Sequence, residues 1–354
     1  MARIKEYWLQ LESRPWDAAP WGVNRLTGRP LPKMGGGMFR PATGEMLVLR
    51  RYSANWAAPA DQPLNPWDLT EPDPAATGGT IPGPTLTAKV ADEIVVHFRN
   101  MDTRSGIPEA SRAHSLHPHG AQVTAAHLGA FPLSPPDPAQ GNRRGDRVLP
   151  GDSFTYRWTC PHRAAAGAWL YHDAAAGGAH STAIGAFGLL VIQAPGEQDP
   201  DAPPGPLRRP GDSSARFAAV PPPPKRADYA LVFHELPGVG LCLNGRAGLG
   251  NTPALVAGEG TRMTIRLLNA ATQPVTVSIQ GHRWERGAAY TDTELLPPGA
   301  GATLSVLSGS AEGGGGPGEW LITGQSGANG RMGNLVAHGS FITTPGGPLE
   351  LRSA

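Results

Sequence analysis

The sequence predicts an all-β protein made of two tandem Greek-key β-sandwiches. Short stretches of alternating apolar and polar residues recur along the chain, and long stretches with the 3.6-residue period of a helix are hard to find. The 47 glycines and 38 prolines are well above average usage, as expected where many short strands are joined by turns. A strand–turn–strand pattern that ends in Asn occurs at residues 85–100 and again at residues 255–269, which indicates an internal duplication.

The first half of the chain contains a series of strand-like segments. Residues 81–90 and 93–100 alternate apolar and polar side chains with a short break between them, which predicts two strands of a half-buried sheet. Further strands are predicted at residues 6–11, 45–52, 113–119, 153–159, 168–172 and 186–193. These segments together form a predicted N-terminal domain, residues 1–196.

A change in composition separates the two halves of the chain. Residues 197–225 are rich in Pro, Asp and Arg and end in four consecutive prolines, which favour a stiff polyproline II conformation. We interpret this segment as an interdomain linker, and a ligand for a proline-recognition domain is the alternative. Residues 226–354 form the predicted C-terminal domain, which begins with a strand at residues 229–236.

Charge and composition exclude several classes of function. The formal net charge of +1 gives no basic surface for nucleic acid. No window of the sequence is apolar enough to span a membrane, and the first residues show no apolar signal-peptide core, so we expect a cytoplasmic protein. Cys160 and Cys242 lack CxxC spacing and lie in different predicted domains, so we expect reduced thiols rather than a disulfide.

A set of histidines in the N-terminal domain is the strongest sign of function. His117 and His119 flank Pro118 in the sequence HPHG, and alternate residues of a strand point to the same side, so both rings can leave one strand edge together. His172 ends another predicted strand, and neutral imidazoles on stiff strands are good ligands for copper or zinc. His180, after an Ala- and Gly-rich loop, is a candidate fourth ligand. The alternative is a set of structural histidines without a metal.

Other polar residues lie close to these histidines in the sequence. Asp173, directly after His172, is a candidate catalytic residue, either as a general base or by orienting the neighbouring imidazole. A solvated surface carboxylate is the alternative for Asp173. His114 and His127 flank the HPHG motif and are weaker candidates for metal ligands.

These motifs resemble those of the two-domain multicopper oxidases, particularly the small bacterial laccases, and the HPHG motif also resembles that of ceruloplasmin. Residues 117–120 match the HxHG pattern of the family, and residues 169–174 match its WxYHDH pattern. In the second half, residues 275–284 resemble HTFHMHGHRW, and residues 317–325 resemble PGxWxYHCH. The resemblance covers about residues 80–340 and implies that both predicted sandwiches are cupredoxin-like.

The resemblance ends at the positions that would bind a blue type-1 copper. In the family this copper takes a Cys thiolate together with His and usually Met ligands. The corresponding positions hold Val275, Gly324, Asn329 and Asn334. Because both cysteines lie elsewhere in the sequence and a blue site requires a thiolate, we expect no type-1 centre.

The trinuclear copper cluster of the family is also incomplete. The residues that replace its histidines in the second domain are Ser278, Gln280, Thr323 and Gln325. In the first domain Ala174 replaces another, which leaves enough imidazoles for one ion but not for three. If the subunits assemble as in the family, the four replaced positions would line a polar pocket that holds a substrate by hydrogen bonds. The alternative is that they are tolerated replacements in an inactive enzyme.

The resemblance therefore implies a copper-dependent oxidoreductase with a reduced copper site. One copper ion would be held by His117, His119 and His172, with His180 as a further candidate and Asp173 in support. The expected substrate is a small organic molecule of phenolic or secondary-metabolite type, dioxygen is the candidate oxidant, and a homotrimer is the expected assembly. Two alternatives remain at this point: a metal-free enzyme in which the histidines and Asp173 exchange protons, and a non-catalytic binding or assembly protein on the same fold.

Overall fold

The chain folds into two β-sandwiches that follow one another in the sequence, which confirms the predicted all-β fold. The structure, a computed structural model, describes residues 3–19, 22–25, 28–30, 45–60, 81–197, 226–252, 254–309, 315–327 and 335–344. The predicted linker, residues 197–225, lies outside these described residues except for Glu197.

The first sandwich is built from two main sheets with the hydrophobic core between them. Its strands in the described ranges are β1 (Ile4–Arg14), β2 (Val23–Asn24), β3 (Arg29–Pro30), β4 (Met46–Tyr52), β5 (Gly83–Lys89), β6 (Glu93–Met101), β7 (His117–Pro118), β8 (Gln122–Val123), β9 (Pro136–Asp137), β10 (Arg143–Arg144), β11 (Ser153–Thr159), β12 (Gly167–His172) and β13 (Phe187–Gln193). One sheet has the order β4-β1-β6-β11-β8, and the other has the order β5-β13-β12-β7. The short helix α1 (Gly178–Ala183) lies between β12 and β13.

The second sandwich also has two main sheets. Its strands in the described ranges are β14 (Arg226–Leu236), β15 (Gly240–Leu243), β16 (Leu255–Gly258), β17 (Arg262–Asn269), β18 (Val275–Ile279), β19 (Trp284–Arg286), β20 (Ala289–Thr291), β21 (Thr293–Leu296), β22 (Gly301–Leu307), β23 (Gly318–Ser326) and β24 (Leu335–Thr344). One sheet has the order β15-β14-β17-β22-β19-β20, and the other has the order β16-β24-β23-β18-β21.

The two sandwiches share one topology, as an internal duplication predicts. β1 runs parallel to β6 in the first, as β14 runs parallel to β17 in the second. Likewise β5 pairs in parallel with β13, and β16 pairs in parallel with β24. The two asparagines that end the repeated sequence pattern make the same turn: Asn100 Oδ1 accepts the N–H of Asp102, and Asn269 Oδ1 accepts the N–H of Ala271, each at 2.9 Å.

One predicted strand is mostly irregular in the structure. Of residues 113–119, only the two of β7 are in a strand. The N–H of Ser115 donates to the Asp173 carboxylate at 2.9 Å. The N–H of Leu116 donates to the Tyr156 hydroxyl at 3.1 Å. These side chains take the donors that a longer strand would need, and the proline of β7 has no N–H to donate.

The two sandwiches pack against each other through β12, which contacts β17 and β22. At the start of β22, a Cβ on Gly301 would overlap the carbonyl of Ala168, so the two backbones approach closely. Val232, Leu236 and Leu268 of the second sandwich belong to the hydrophobic core of the first. The strand that ends in His172 therefore lies at the interface between the sandwiches.

The two cysteines are buried and free, as predicted. Burial raises the pKa of Cys160 to about 11 and the pKa of Cys242 to about 12. Both groups are therefore neutral thiols at neutral pH rather than the thiolates that bind metals. Across the ranges that the structure describes, no helix has the length and apolar character needed to cross a lipid bilayer.

Candidate metal centre

Three histidine rings meet where the edge strand β7 pairs with β12. His117 lies directly opposite His172 in the antiparallel register, so their side chains share one face of the sheet. His119 follows two residues later, and its N–H donates to the carbonyl of Leu170 on β12 at 2.8 Å. The local pairing of two strands thus brings together residues that are more than fifty positions apart, as the sequence analysis expected.

The rings surround a common point. His119 Nε2 lies 3.2 Å from His172 Nε2, and one ligand nitrogen from each of the three residues lies within 4.8 Å of the others. The ring centroids are 5.2 to 5.6 Å apart. Two nitrogens bound to one ion at about 2.0 Å in tetrahedral geometry are about 3.3 Å apart. The separation between His119 and His172 is therefore close to that of two ligands of one metal.

Main-chain carbonyls fix the tautomers of two of the rings. His117 Nδ1–H donates to the carbonyl of Leu128 at 2.7 Å, and His172 Nδ1–H donates to the carbonyl of Asp173 at 2.8 Å. With the hydrogen on Nδ1, each ring keeps a lone pair on Nε2. Metal-binding histidines usually hold their second ring nitrogen in this way.

Burial favours neutral rings at this position. Burial, together with the neighbouring rings of His172 and His117, lowers the pKa of His119 to about 4. Burial also lowers the pKa of His172, against the opposing hydrogen bond to the Asp173 carbonyl. A ring that stays neutral at neutral pH is ready to bind a metal without first losing a proton.

The contacts of the Asp173 side chain do not support the general-base role predicted for it. Its carboxylate is 1% exposed and accepts the N–H groups of Ser115 and Ala175, each at 2.9 Å. The same carboxylate lies 2.6 Å from His114 Nδ1. Because these partners occupy it, Asp173 supports His172 through its main-chain carbonyl and not as a side-chain base.

His114 is the centre of a buried charged network rather than a ligand. Its Nε2 lies 3.0 Å from the carboxylate of Asp102, which also pairs with Arg104 at 2.8 Å. Burial alone would lower the pKa of His114, but the hydrogen bonds to Asp102 and Asp173 outweigh it and raise that pKa. These partners lie 12 and 59 residues away in the sequence, so no local motif could have identified them.

The fourth predicted ligand does not join the cluster. Helix α1 places His180 on the protein surface, and the described residues within metal-binding distance of one another are the other three histidines. His127 is also separate, because its Nε2 lies 3.9 Å from the Asp137 carboxylate and its ring packs beside Phe154. The ligand role predicted for His180 therefore has no support in the geometry.

The second sandwich carries the structural counterpart of this site. Ser278 on β18 lies directly opposite Thr323 on β23, as the two histidines of β7 and β12 face each other. The N–H of Gln280 donates to the Leu321 carbonyl at 2.9 Å, as the N–H of His119 donates to β12. Ser278, Gln280 and Thr323 thus occupy the positions at which the first sandwich has its three histidines.

Two glycine–tryptophan pairs confirm this correspondence. Gly120 has φ +74° and Gly281 has φ +71°, and a Cβ on either would overlap the ring of Trp169 or Trp320, respectively. Each indole N–H donates to a carbonyl four residues earlier, at 2.7 and 3.2 Å. The same backbone therefore presents imidazoles in one sandwich and neutral polar groups in the other.

The predicted substrate-binding residues lie on one outer sheet face. Ser278 and Thr323 are half-buried, whereas Gln280 and Gln325 are exposed. Within one chain they form an open polar surface rather than an enclosed pocket. Their role in holding a substrate stays a prediction that requires a second partner to cover this face.

Two of the positions expected to bind a type-1 copper in the family are packed against the core of the second sandwich. Val275 is fully buried in the core of the second sandwich. A Cβ on Gly324 would overlap the ring of Phe233, so this position has no room for a cysteine. Asn329 and Asn334 lie outside the described residues. Among the described residues, the three-histidine cluster is the one group of His, Cys, Asp or Glu with metal-binding spacing.

A loop of the second sandwich borders the histidine site. A Cβ on Gly299 would lie 3.9 Å from His119 Cε1. The N–H of Gly299 donates to the carbonyl of Asn269 at 2.8 Å, which ties this loop to the end of β17. The site is therefore formed by the first sandwich and bordered by the second.

Comparison with protein families and curated proteins supports the predicted resemblance. Residues 64–197 match the family model described as multicopper oxidase. Mouse hephaestin is 27% identical over 209 residues, which are 57% of this chain and 17% of hephaestin. The human ferroxidase HEPHL1 is 29% identical over 164 residues, 44% of this chain and 12% of that protein. The chain thus spans less than a fifth of the length of these relatives.

A shorter similarity links the chain to a protein without catalytic activity. The non-catalytic subunit of the venom prothrombin activator omicarin-C from Oxyuranus microlepidotus is 37% identical over 77 residues, 22% of this chain and 5% of that protein. Proteins similar to parts of this chain therefore include ferroxidases and a non-catalytic subunit.

Solved structures share the fold over nearly the whole chain. A multicopper oxidase crystal structure has a TM-score of 0.58 at 16% identity and covers 96% of this chain and 89% of its own. The copper nitrite reductase of Nitrosomonas europaea has a TM-score of 0.53 at 15% identity and covers 97% of this chain and 94% of its own. At these identities the comparison establishes the two-domain fold and not the activity.

Proposed function

We propose that this chain, whose residues 64–197 match the multicopper oxidase family, is a copper-dependent oxidoreductase with a single copper centre. The observation that carries the proposal is the convergence of His117, His119 and His172, with His119 Nε2 and His172 Nε2 3.2 Å apart. Imidazole nitrogens are good ligands for copper. His117 and His172 each carry their hydrogen on Nδ1, which leaves the Nε2 lone pairs directed towards the common point.

The residues present fit one copper ion and not a cluster. His117, His119 and His172 would hold it through ring nitrogens, and three protein ligands leave a coordination position open. A copper ion in this place supplies one-electron redox chemistry and a Lewis acid for a substrate that binds it directly.

The protein itself orients and shields this position. The carbonyls of Leu128 and Asp173 hold the rings of His117 and His172. Both rings are therefore already oriented before an ion binds. The loop at Gly299 borders His119 on the side of the second sandwich. The buried network of His114 keeps the backbone of Asp173 in place through the Asp173 carboxylate.

The substrate proposal follows from the packing at two positions expected to bind a type-1 copper. A blue copper that collects electrons from a remote donor would need ligands at positions 275 and 324. Val275 is buried in the core, and a side chain on Gly324 would overlap the ring of Phe233. We therefore propose a small organic substrate, of phenolic or secondary-metabolite type, that reaches the histidine site directly, with dioxygen as the oxidant. A cytoplasmic location for this reaction stays a prediction.

A homotrimer is proposed as the active assembly, with the histidine site of one subunit facing Ser278, Gln280 and Thr323 of the next. Exposed apolar side chains lie beside both surfaces. The N–H of Phe131 donates to the carbonyl of Ala174, just beyond β12, and Phe131 and Leu133 are 45% and 65% exposed. On the other surface, Leu295, 62% exposed, pairs with β18. Head-to-tail contacts between two different surfaces close into a ring when the rotation allows it.

The trimer is tested by native mass spectrometry of wild type and Leu133→Glu. We expect a trimer for wild type and a monomer for the variant, because a charge would be buried in the contact. Ile4, also 65% exposed but on β1, provides the matched control Ile4→Glu, which should remain trimeric. A monomeric wild type would contradict the proposed assembly.

The copper proposal is tested by elemental analysis after loading and dialysis. We expect one copper per chain in wild type and in His180→Ala, and a substoichiometric content in His172→Ala. Oxygen consumption with a panel of phenols should follow the copper content. A wild type that retains no stoichiometric copper would defeat the proposal.

A non-catalytic binding protein is the second candidate, supported by the similarity to the omicarin-C non-catalytic subunit. In that case copper would bind without substrate oxidation, and His117→Ala would leave the biological activity unchanged. The metal-free acid–base alternative has less support, because the Asp173 carboxylate is engaged by Ser115 and His114. Full catalytic activity in a strong chelator would favour that alternative.

A further inference from the structure

A cavity of about 450 Å³ lies between the two sandwiches, and none of the three clustered histidines lines it. Its walls come from β5 and β13 of the first sandwich and from β14 and β17 of the second. This volume falls in the range of sites for small molecules, and domain interfaces are a common place for such sites.

Cationic side chains dominate the lining. The cations from the first sandwich are Arg3, Lys5 and Lys89. The second sandwich contributes Arg266, which is 2% exposed and pairs with Asp228 at 2.8 Å and with Glu197. One further carboxylate, Asp92, accepts the main-chain N–H groups of Arg3 and Lys89. Of the charged side chains that line the cavity, four are cationic and one, Asp228, is a carboxylate.

Lys5 is the cation most clearly directed at the cavity. It lies on β1 in the same alternating row as Tyr7 and Leu9, which are core residues of the first sandwich. The Lys5 side chain therefore lines the cavity instead of extending into bulk solvent. Within the ranges that the structure describes, no carboxylate pairs with the Lys5 ammonium group.

The side-chain amide of Gln193, next to these cations, is also available to a ligand. Gln193, the last residue of β13, is 8% exposed and lines the cavity. No side chain or main-chain group in the described part of the protein accepts or donates a hydrogen bond to its amide. An amide at a cavity wall offers two N–H donors and a carbonyl acceptor, so Gln193 can hydrogen-bond a polar ligand there.

The remaining wall is apolar. Leu189 and Val191 of β13 lie in line with Gln193, and Ala230 of β14 faces them from the second sandwich. We infer that this cavity binds a small organic acid, with its carboxylate or phosphate on Lys5 and Gln193 and its apolar body against Leu189 and Val191. Because both sandwiches form the walls, such a ligand holds them together.

Isothermal titration calorimetry with three probes tests this inference on the full chain. Phenylacetate combines a carboxylate with an apolar ring, phenylacetamide removes the charge, and inorganic phosphate removes the apolar body. We expect phenylacetate to bind at least about ten-fold more tightly than either of the others, as loss of a charge-assisted hydrogen bond predicts. Lys5→Met and Gln193→Leu should each weaken phenylacetate binding by about ten-fold or more.

A matched control separates this site from general charge effects. Arg163→Met removes an exposed cation from a short turn that does not line the cavity, and it should leave phenylacetate binding unchanged. Thermal unfolding of each variant shows whether it is folded. The inference is overturned if no probe binds up to its solubility limit, if phenylacetamide binds as well as phenylacetate, or if folded Lys5→Met and Gln193→Leu bind like wild type.

Discussion

At the residue scale, two main-chain carbonyls decide which ring nitrogen is available to an ion. The carbonyls of Leu128 and Asp173 accept the Nδ1–H groups of His117 and His172. Both rings then present Nε2, and His119 Nε2 lies beside that of His172. The proposed copper site therefore depends on backbone atoms that a side-chain motif does not identify.

The stability of the metal-free protein should depend on the protonation of His119. Its pKa is lowered by burial from 6.5 to about 4, so between these values the unfolded chain binds more protons than the folded one. The contribution of the neutral His119 ring to stability is therefore fully present above pH 6.5 and is lost as the pH falls towards 4. We expect His119→Gln to flatten the pH dependence of chemical unfolding in this window. The exposed His180 is the control, and a His119→Gln profile identical to those of His180→Gln and wild type would contradict this account.

Replacement of His114 should be costly, because it bridges two buried carboxylates. His114→Leu leaves Asp102 and Asp173 without the cation between them, and breaking a buried ion pair by removing one partner costs about 3–5 kcal/mol. Denaturant titration would measure this loss. His162→Leu, at an exposed position, should change the free energy of unfolding by about 0.5 kcal/mol or less. If His114→Leu changed the free energy of unfolding as little as His162→Leu, the network would not be stabilising.

At the element scale, one backbone arrangement is used twice. The pairing of β7 with β12 is repeated by β18 with β23, including the turn glycine and the tryptophan that covers it. The duplication places Ser278 and Thr323 where the first sandwich has two histidines. This repetition makes the second sandwich an internal control for the first.

The variants Gly120→Ala and Gly281→Ala compare the equivalent turns of the two sandwiches. In both glycines φ is positive, and an added Cβ would overlap Trp169 or Trp320, so both variants should be destabilised by about 1–3 kcal/mol. Copper affinity should fall in Gly120→Ala alone, because that turn directly follows His119. Equal copper affinity in the two variants, measured by competition with a chelating dye, would contradict the proposed position of the metal.

The sequence allowed the long strands and the three clustered histidines to be predicted, because alternation and the HPHG and YHD motifs are local. It did not allow the path of residues 113–119 to be predicted, since the donors of Ser115 and Leu116 go to side chains from distant segments. The contacts of the Asp173 carboxylate could not be predicted for a similar reason: adjacency to His172 suggested a shared site, whereas the carboxylate contacts His114. A contact between residues 59 positions apart cannot be recognised from the spacing of residues in a local motif.

At the scale of the whole molecule, the core of the first sandwich extends into the second. Val232, Leu236 and Leu268 pack with residues of the first sandwich, and Gly301 lets β22 approach β12. We therefore expect differential scanning calorimetry to show one cooperative transition for the metal-free protein, because unfolding of the second sandwich would expose part of the core of the first. Two separate transitions would show that the sandwiches are independent.

The central claim, a single copper held by three imidazoles, is tested most directly by pulsed EPR of the protein loaded with one equivalent of Cu(II). The echo modulation counts coordinated imidazoles through their remote nitrogens. We predict three in wild type and in His180→Ala, and two in His172→Ala. A wild-type spectrum without coordinated imidazole, or the same number of imidazoles in His172→Ala as in wild type, would contradict the account.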